Sequence, residues 1–281
     1  MNDAPDKPAW SPDELSDNPH QRADKARKVR DMFTAIADSY DLNNRVHSFG
    51  RDQAWRRKAV KLAALRPGDR VLDVACGTGD LALLFALRLG LHAIEDGWPT
   101  PSPSQVIGLD FTFPMLPIAE QKNSVIAEQT HPGNEEEPRL WPGVARFLNG
   151  DAMSLPFADQ TFDVVSIAFG LRNVADPAAA VREFSRVLRP GGRLVILEFS
   201  EPGNPLVRWG SKVWTDHIMP QTATWIARDR SGAYRYLPRS VATFMDRAGV
   251  ASLFEKAGLN RPTMNSVNFG VATIYVGSRL D

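Results

Sequence analysis

Cysteine is almost absent: the 281 residues hold one, Cys76. A lone thiol excludes an intramolecular disulfide and a cysteine-built metal site. The five histidines include no pair at metal-ligand spacing, so no metal is expected. Excess charge is missing too. Lys+Arg and Asp+Glu number 33 each, so no overall field draws in a polyanion, and no nucleic-acid partner is expected. No run of residues approaches the roughly 20 apolar positions that cross a bilayer. The acidic, proline-bearing start lacks the basic and apolar regions of a secretory leader. Together these absences predict a cytoplasmic protein, peripheral at the inner face of a membrane at most.

What is present suits one large α/β domain with helical additions: 43% apolar and 23% charged residues. Residues 1–21 are polar and carry Pro5, Pro8, Pro12 and Pro19, which predicts a disordered tail. Residues 22–281 are expected to form a single domain. Apolar spacing at Val29, Met32, Phe33 and Ile36 predicts a helix over 22–38, and a second amphipathic helix is expected over 52–65. Strands and helices then alternate. Strands are expected at 70–75, 105–109, 145–148, 162–169 and 193–199, with helices reaching Leu89, over 113–129 and over 177–188. That rhythm predicts a doubly wound, mostly parallel sheet. Thr263–Asn268 and Val271–Ser278 are separated too briefly for a crossover and should pair antiparallel, completing seven strands. Segments near 90–104 and 130–142, rich in Pro, Gly and acidic residues, read as surface insertions.

The stretch Val71-Leu72-Asp73-Val74-Ala75-Cys76-Gly77-Thr78-Gly79-Asp80 is the most informative. It reads as a buried strand, a glycine turn that lets a ligand approach the backbone, and a helix start. Gly77, Gly79 and Ala82 fit the relaxed dinucleotide pattern G-x-G-x-x-G/A, which keeps NAD open. Asp73 and Asp80, however, crowd the place where a pyrophosphate would want no anions. A cationic cofactor without phosphate, such as S-adenosylmethionine, suits the turn better. Asp110 and Asp151 follow the next two strands, where ligands bind in open α/β sheets. Asp110 stands where a carboxylate accepts both ribose hydroxyls, and Asp151 can meet the exocyclic amine of an adenine. Phe111 and Met153 can pack on that base or belong to the core.

These stretches carry a resemblance. Asp31-Met32-Phe33, Tyr40-Asp41-Leu42-Asn43-Asn44, Ser48-Phe49-Gly50, Trp55-Arg56 and the cofactor turn are joined by Leu155-Pro156-Phe157, Phe169-Gly170-Leu171-Arg172-Asn173-Val174 and Arg189-Pro190-Gly191-Gly192-Arg193. Leu197-Glu198-Phe199-Ser200 and Tyr234-Arg235-Tyr236-Leu237 complete the set. Over residues 27–278, insertions excluded, the chain resembles the ubiquinone/menaquinone biosynthesis C-methyltransferases, a branch of the class I S-adenosylmethionine-dependent methyltransferases. The Pro-Gly-Gly turn is common to many methyltransferases, whereas the Phe-Gly-Leu-Arg-Asn-Val, Tyr-Asp-x-x-Asn and Tyr-Arg-Tyr-Leu stretches are far more specific. Cys76 replaces a glycine found in many relatives, and Ala168 stands where some carry a serine thought to touch the cofactor.

The resemblance implies a Rossmann-like fold, S-adenosylmethionine as cofactor, and methylation of a ring carbon of a polyprenyl hydroquinone in menaquinone or ubiquinone formation. It also implies cofactor contacts at Thr78, Asp110, Asp151 and the Ala152 backbone, to which the turn adds Gly77 and Gly79. Carbon methylation of a hydroquinol needs a base or a cation that favours the phenolate. Arg172 is the candidate for that electrostatic role, the alternative being a structural ion pair with Glu198 or Asp163. Asn173 can orient the quinol oxygen. Tyr40, Asp41 and His217 are candidates for proton transfer or the far wall, with Tyr234 and Arg235 on the substrate side, although tyrosines and histidines at such places also serve as packed core. Apolar faces at 29–36 and 206–225 can admit an isoprenoid tail or simply cover the sheet. Two other classes stay open: an NAD-linked Rossmann oxidoreductase and a non-catalytic cofactor-binding module.

Overall fold

The computed structural model describes residues 8–95, 105–129, 145–214 and 232–280, without the side chains of 92–95, 128–129, 212 and 234. Seven strands form one sheet in the order β3-β2-β1-β4-β5-β7-β6. They are β1 Val71–Val74, β2 Val106–Asp110, β3 Arg146–Asn149, β4 Phe162–Ala168, β5 Leu188–Phe199, β6 Thr263–Val267 and β7 Ala272–Ser278. β1 to β5 are parallel, and β7 runs antiparallel to both β5 and β6. Every residue of β1 and β2 is buried, because helices cover both faces of a parallel sheet and its central strands must be apolar on both sides. β3, at the edge, is mostly exposed.

Nine helices of the described residues clothe the sheet. They are α1 Lys25–Ile36, α2 Tyr40–His47, α3 Arg51–Leu62, α4 Asp80–Glu95, α5 Met115–Gln129, α6 Pro177–Val187, α7 Pro205–Val213, α8 Ala233–Ala242 and α9 Arg247–Lys256. Two start on side-chain caps followed by proline. Asp176 accepts from the N–H groups of Ala178 and Ala179 ahead of α6, and Asn204 does the same for Leu206 and Val207 ahead of α7. None of the described helices is long and apolar enough to cross a membrane.

Several boundaries differ from the sequence expectation. The helix foreseen over 22–38 ends at Ile36, and a 3-10 turn over Ala37–Ser39 redirects the chain into α2. β5 begins at Leu188 and continues through Pro190-Gly191-Gly192, which had looked like a turn. Gly191 takes φ +70°, and its N–H bonds the carbonyl of Arg279 while the Arg279 N–H bonds Gly192. α4 extends to Glu95, so the first residues of the insertion at 90–104 continue a helix; the rest of it and all of 130–142 lie outside the described residues.

The larger correction concerns residues 8–21, expected to be disordered. Trp10 is fully buried, stacked on Tyr236 of α8 with ring centroids 4.6 Å apart. Leu15 and Pro19 are buried beside it. Lys28 of α1 donates to the Ala9 carbonyl at 2.7 Å and to Glu14 at 3.0 Å, and Arg239 of α8 donates to the carbonyls of Ser16 and Asp17. One tryptophan and a leucine supply enough apolar area to hold an otherwise polar strap against α1 and α8. Trp10→Ala should therefore cost about 3–5 kcal/mol. The midpoint of urea unfolding would fall markedly, and an unchanged midpoint would show the strap to be unpacked in solution.

Candidate active site

The carboxyl ends of β1, β2 and β4 meet at a cleft that encloses about 800 Å³ of empty space, its open mouth included. Its floor is strained. Ala75, after β1, and Phe169, after β4, take φ values of +52° and +57°, where a side chain is disfavoured. Gly170 lies between them, and a Cβ there would meet the Ala75 Cβ at 2.6 Å. The glycine lets the two strand ends approach, and the approach forms the floor.

Asp110 ends β2 with its side chain in the cleft wall, only 7% exposed. One carboxylate oxygen accepts from the Gly77 N–H at 2.8 Å and the other from Thr112 at 2.7 Å. Burial raises its pKa, and the two backbone donors oppose that rise. Asp151, Ala152, Phe111 and Met153 line the same end, and Asp151 is braced by the Met153 N–H at 2.8 Å. The turn divides its labour. Gly77 lines the cleft, whereas Gly79 faces away: a Cβ on it would press on Ala119 of α5 and Phe147 of β3, both at 2.9 Å. Gly79 is thus packed against α5 and β3, and of the two glycines Gly77 is the one in the cleft lining.

Thr78 and Asp41 do not line the cleft either. The Thr78 hydroxyl donates to Asp41 Oδ1 at 2.6 Å, and Lys122 of α5 lies between carboxylates, 2.6 Å from Asp41 and 2.5 Å from Asp80. This knot ties α2 to the turn and so sets Tyr40, which does line the cleft; burial raises the Tyr40 pKa. Lys122 went unnoticed in the sequence because one lysine on the polar face of a helix carries no signal.

At the other end Asn173 and Val174 form the wall. Arg172 does not reach the cleft. Its guanidinium is 4% exposed and donates to Glu198 Oε1 and to the Phe169 carbonyl, each at 2.7 Å. Arg172 is absent from the cleft lining and pairs with Glu198, the structural alternative weighed for it. Lys25 of α1, also buried, donates to the Val174 carbonyl at 2.5 Å, and burial together with Arg172 lowers its pKa to about 8. Arg235 is exposed on α8, away from the lining; His217 and the Tyr234 side chain lie outside the described residues. α1 contributes Val29 and Phe33, part of the apolar face expected there. Among the described residues no group of His, Cys, Asp and Glu is placed to hold a metal.

Among the described residues, the only charged side chains lining the cleft are therefore Asp110 and Asp151. A ligand with two or more phosphates would meet uncompensated repulsion here, whereas a ligand with ribose hydroxyls and net positive charge meets acceptors.

Residues 21–279 match the model of the ubiE/COQ5 methyltransferase family. The chain is 36% identical over 255 residues to a demethylmenaquinone methyltransferase of Bacillus cereus and to one of Bacillus anthracis, covering 91% of this chain and 97% of each relative. Among solved structures it is similar to a Thermotoga maritima S-adenosylmethionine-dependent methyltransferase described as a possible histamine N-methyltransferase. That match has a TM-score of 0.55 and 19% identity, over 89% of this chain and 99% of the other. An Aquifex aeolicus methyltransferase aligns with TM-score 0.54 and 16% identity, over 85% and 98%. At such identities the structures show a shared fold.

Asp73 of β1 gives this site a pH signature. It is 1% exposed and bonded to the Ser166 hydroxyl at 2.8 Å, and burial raises its pKa to about 7. The folded chain thus holds a proton that the unfolded chain releases near pH 4. Stability from this group is greatest below that value and is lost as pH rises through about 7. Asp73→Asn should raise the melting temperature clearly at pH 8 and by distinctly less at pH 5. A variant equally shifted at both pH values would contradict the assignment.

Proposed function

The chain belongs to the ubiE/COQ5 methyltransferase family, and from that premise we propose that it transfers a methyl group from S-adenosylmethionine to a ring carbon of a reduced polyprenyl quinone. The acceptor is a 2-demethylmenaquinol or its ubiquinone-precursor counterpart. The observation that carries the reading is the charge of the cleft, to whose lining the described residues bring two carboxylates, Asp110 and Asp151, and no cation. The same observation weighs against an NAD-linked oxidoreductase. Asp110, held rigid by the N–H groups of Gly77 and Thr112, offers its outer lone pairs to ribose hydroxyls. Phe111, Asp151, Ala152 and Met153 suit an adenine, and the Gly77 backbone lets the remainder pass over the turn.

When bound, S-adenosylmethionine supplies a methyl group on a sulfonium, open to displacement by an electron-rich carbon. A quinone ring carbon is too electron-poor for that, whereas the hydroxyl of a hydroquinol pushes density onto the neighbouring carbon. That carbon gains the methyl group and then gives up its ring proton to solvent, restoring the aromatic hydroquinol. Asn173 stands at the acceptor end and presents an amide to an acceptor oxygen. The apolar walls from Val29, Phe33 and Phe169 exclude water and hold the ring near the contact distance that displacement needs.

An isoprenoid tail has a route out. Leu42, Val46 and Phe49 on and after α2, Leu206 and Trp209 on α7, and Phe269 before β7 are exposed large apolar residues. Phe49 touches Trp214 at the end of α7. Because β7 starts opposite Phe199, Phe269 falls on the same sheet edge as the cleft. This rim suits peripheral contact with a bilayer, from which a lipid-borne quinol can enter. Residues 218–219, also expected on the route, lie outside the described residues.

Three measurements test these assignments. In Asp110→Ala, calorimetric titration should show S-adenosylmethionine affinity weakened by about 1.5–3 kcal/mol, the loss of charged hydrogen bonds; unchanged affinity would remove Asp110 from the site. In anaerobic turnover, reduced acceptor should be methylated and oxidised quinone left untouched. Replacing Leu206 and Trp209 by serine should slow turnover of vesicle-borne, long-tailed quinol and spare a water-soluble, one-isoprene analogue. Equal turnover of quinone and quinol would overturn the chemistry, and equal loss on both tail lengths would overturn the rim.

A further inference from the structure

Among the described residues Asn173 is the one neutral side-chain amide in the cleft lining, and its orientation is fixed by Tyr236 and the Phe169 backbone. Its Oδ1 accepts from the Tyr236 hydroxyl at 3.0 Å, and its Nδ2 donates to the Phe169 carbonyl at 3.2 Å. A flipped amide would set Oδ1 against that carbonyl, acceptor against acceptor, so the network admits one orientation. In that orientation the amide keeps one N–H beyond those two bonds.

Tyr236 is itself held by the N-terminal strap. Trp10 lies on its ring at an interplanar angle of 20°, and Lys28 stands 5.4 Å over the Trp10 ring. Gly232, at φ +82° just before α8, is required because any Cβ would strike the Trp10 carbonyl. Glu14, whose bond from the Ser11 N–H and pairing with Lys28 hold its pKa at about 2, keeps the strap anchored across the physiological range.

We infer that Trp10 and Tyr236 form a positioning relay from the N-terminal strap to the acceptor end of the cleft. The relay fixes the Asn173 carboxamide as a hydrogen-bond donor to an oxygen of the acceptor. Tyr236 and Trp10 touch no reacting atom; they act through Asn173. The donor matters most when that oxygen carries its largest negative charge, so the relay governs kcat more than cofactor binding. This role rests on the hydroquinol reading above for the identity of the oxygen.

Tyr236→Phe keeps the stacked ring and removes only the hydroxyl. It should lower kcat about tenfold at unchanged S-adenosylmethionine affinity. Asn173→Ala should lower kcat at least as much, and the double variant should be no slower than Asn173→Ala alone. Trp10→Leu, which removes the stacked ring, should lower kcat at unchanged S-adenosylmethionine affinity, and Trp10→Phe, which retains one, should lose less. Wild-type kcat in Tyr236→Phe, or losses that multiply in the double variant, would overturn the relay; a role confined to packing would lower the melting temperature and cofactor affinity together. A wild-type enzyme inert toward hydroquinol would sink the functional reading alone. The relay would then be judged by the Asn173 side-chain amide resonances in ¹⁵N-labelled protein, identified by their loss in Asn173→Ala. These should shift in Tyr236→Phe and in Trp10→Leu, and resonances unmoved in Tyr236→Phe would overturn it.

Discussion

The buried pair of Arg172 and Glu198 is the constraint on which the acceptor side of the cleft rests. Glu198 is fully buried near the end of β5 and gathers three donors: the Arg172 guanidinium, the Arg172 backbone N–H and the N–H of Phe199. Arg172 in turn reaches the carbonyl of Phe169, whose backbone is strained, and the Ser240 hydroxyl of α8 at 3.4 Å. One ion pair thus joins the ends of β4 and β5 to α8. Removing one partner of such a pair leaves an unpaired buried charge, at a cost of about 3–5 kcal/mol. Here it would also release the carbonyl that orients Asn173.

The pair belongs to a wider separation of charge. Cations near the cleft are kept behind its walls: Arg172 and Lys25 beneath the segment Leu171–Val174, Lys122 behind the glycine turn. Each is bonded to a carboxylate or a backbone carbonyl, so the interior meets Asp110 and Asp151 as its charged surface. Among the described residues the acids stand at successive strand ends and these three bases lie outside the lining, an arrangement that favours a cation over a phosphate.

Much of this was legible beforehand because it is local. Strands announce themselves by apolar runs, the turn by Gly77 and Gly79, and strand-end carboxylates by their place after β2 and β3. Long-range pairings were not legible. Nothing near Arg172 in the sequence says that Glu198 will neutralise it, though both alternatives for its role were visible. Gly79 reads as a ligand contact until Phe147 and Ala119 are seen against it. The strap failed for a compositional reason: four prolines and many polar residues outweigh Trp10 and Leu15 in any average, yet those two side chains decide where the segment lies.

The strap also has a consequence for how the protein comes to be. His20 bonds the Ser240 carbonyl across 220 residues, and Arg239 reaches back to Asp17 over a similar span. Contacts so distant in sequence carry the largest loop-closure entropy and form late. During synthesis the glycine turn and β2 can assemble while α8 is still unmade, but Tyr236 has no Trp10 to rest on until the last quarter of the chain has emerged. The end of the cleft built by Gly77 and Asp110 can therefore take shape before the end built by Asn173, whose amide waits for both termini of the chain to meet.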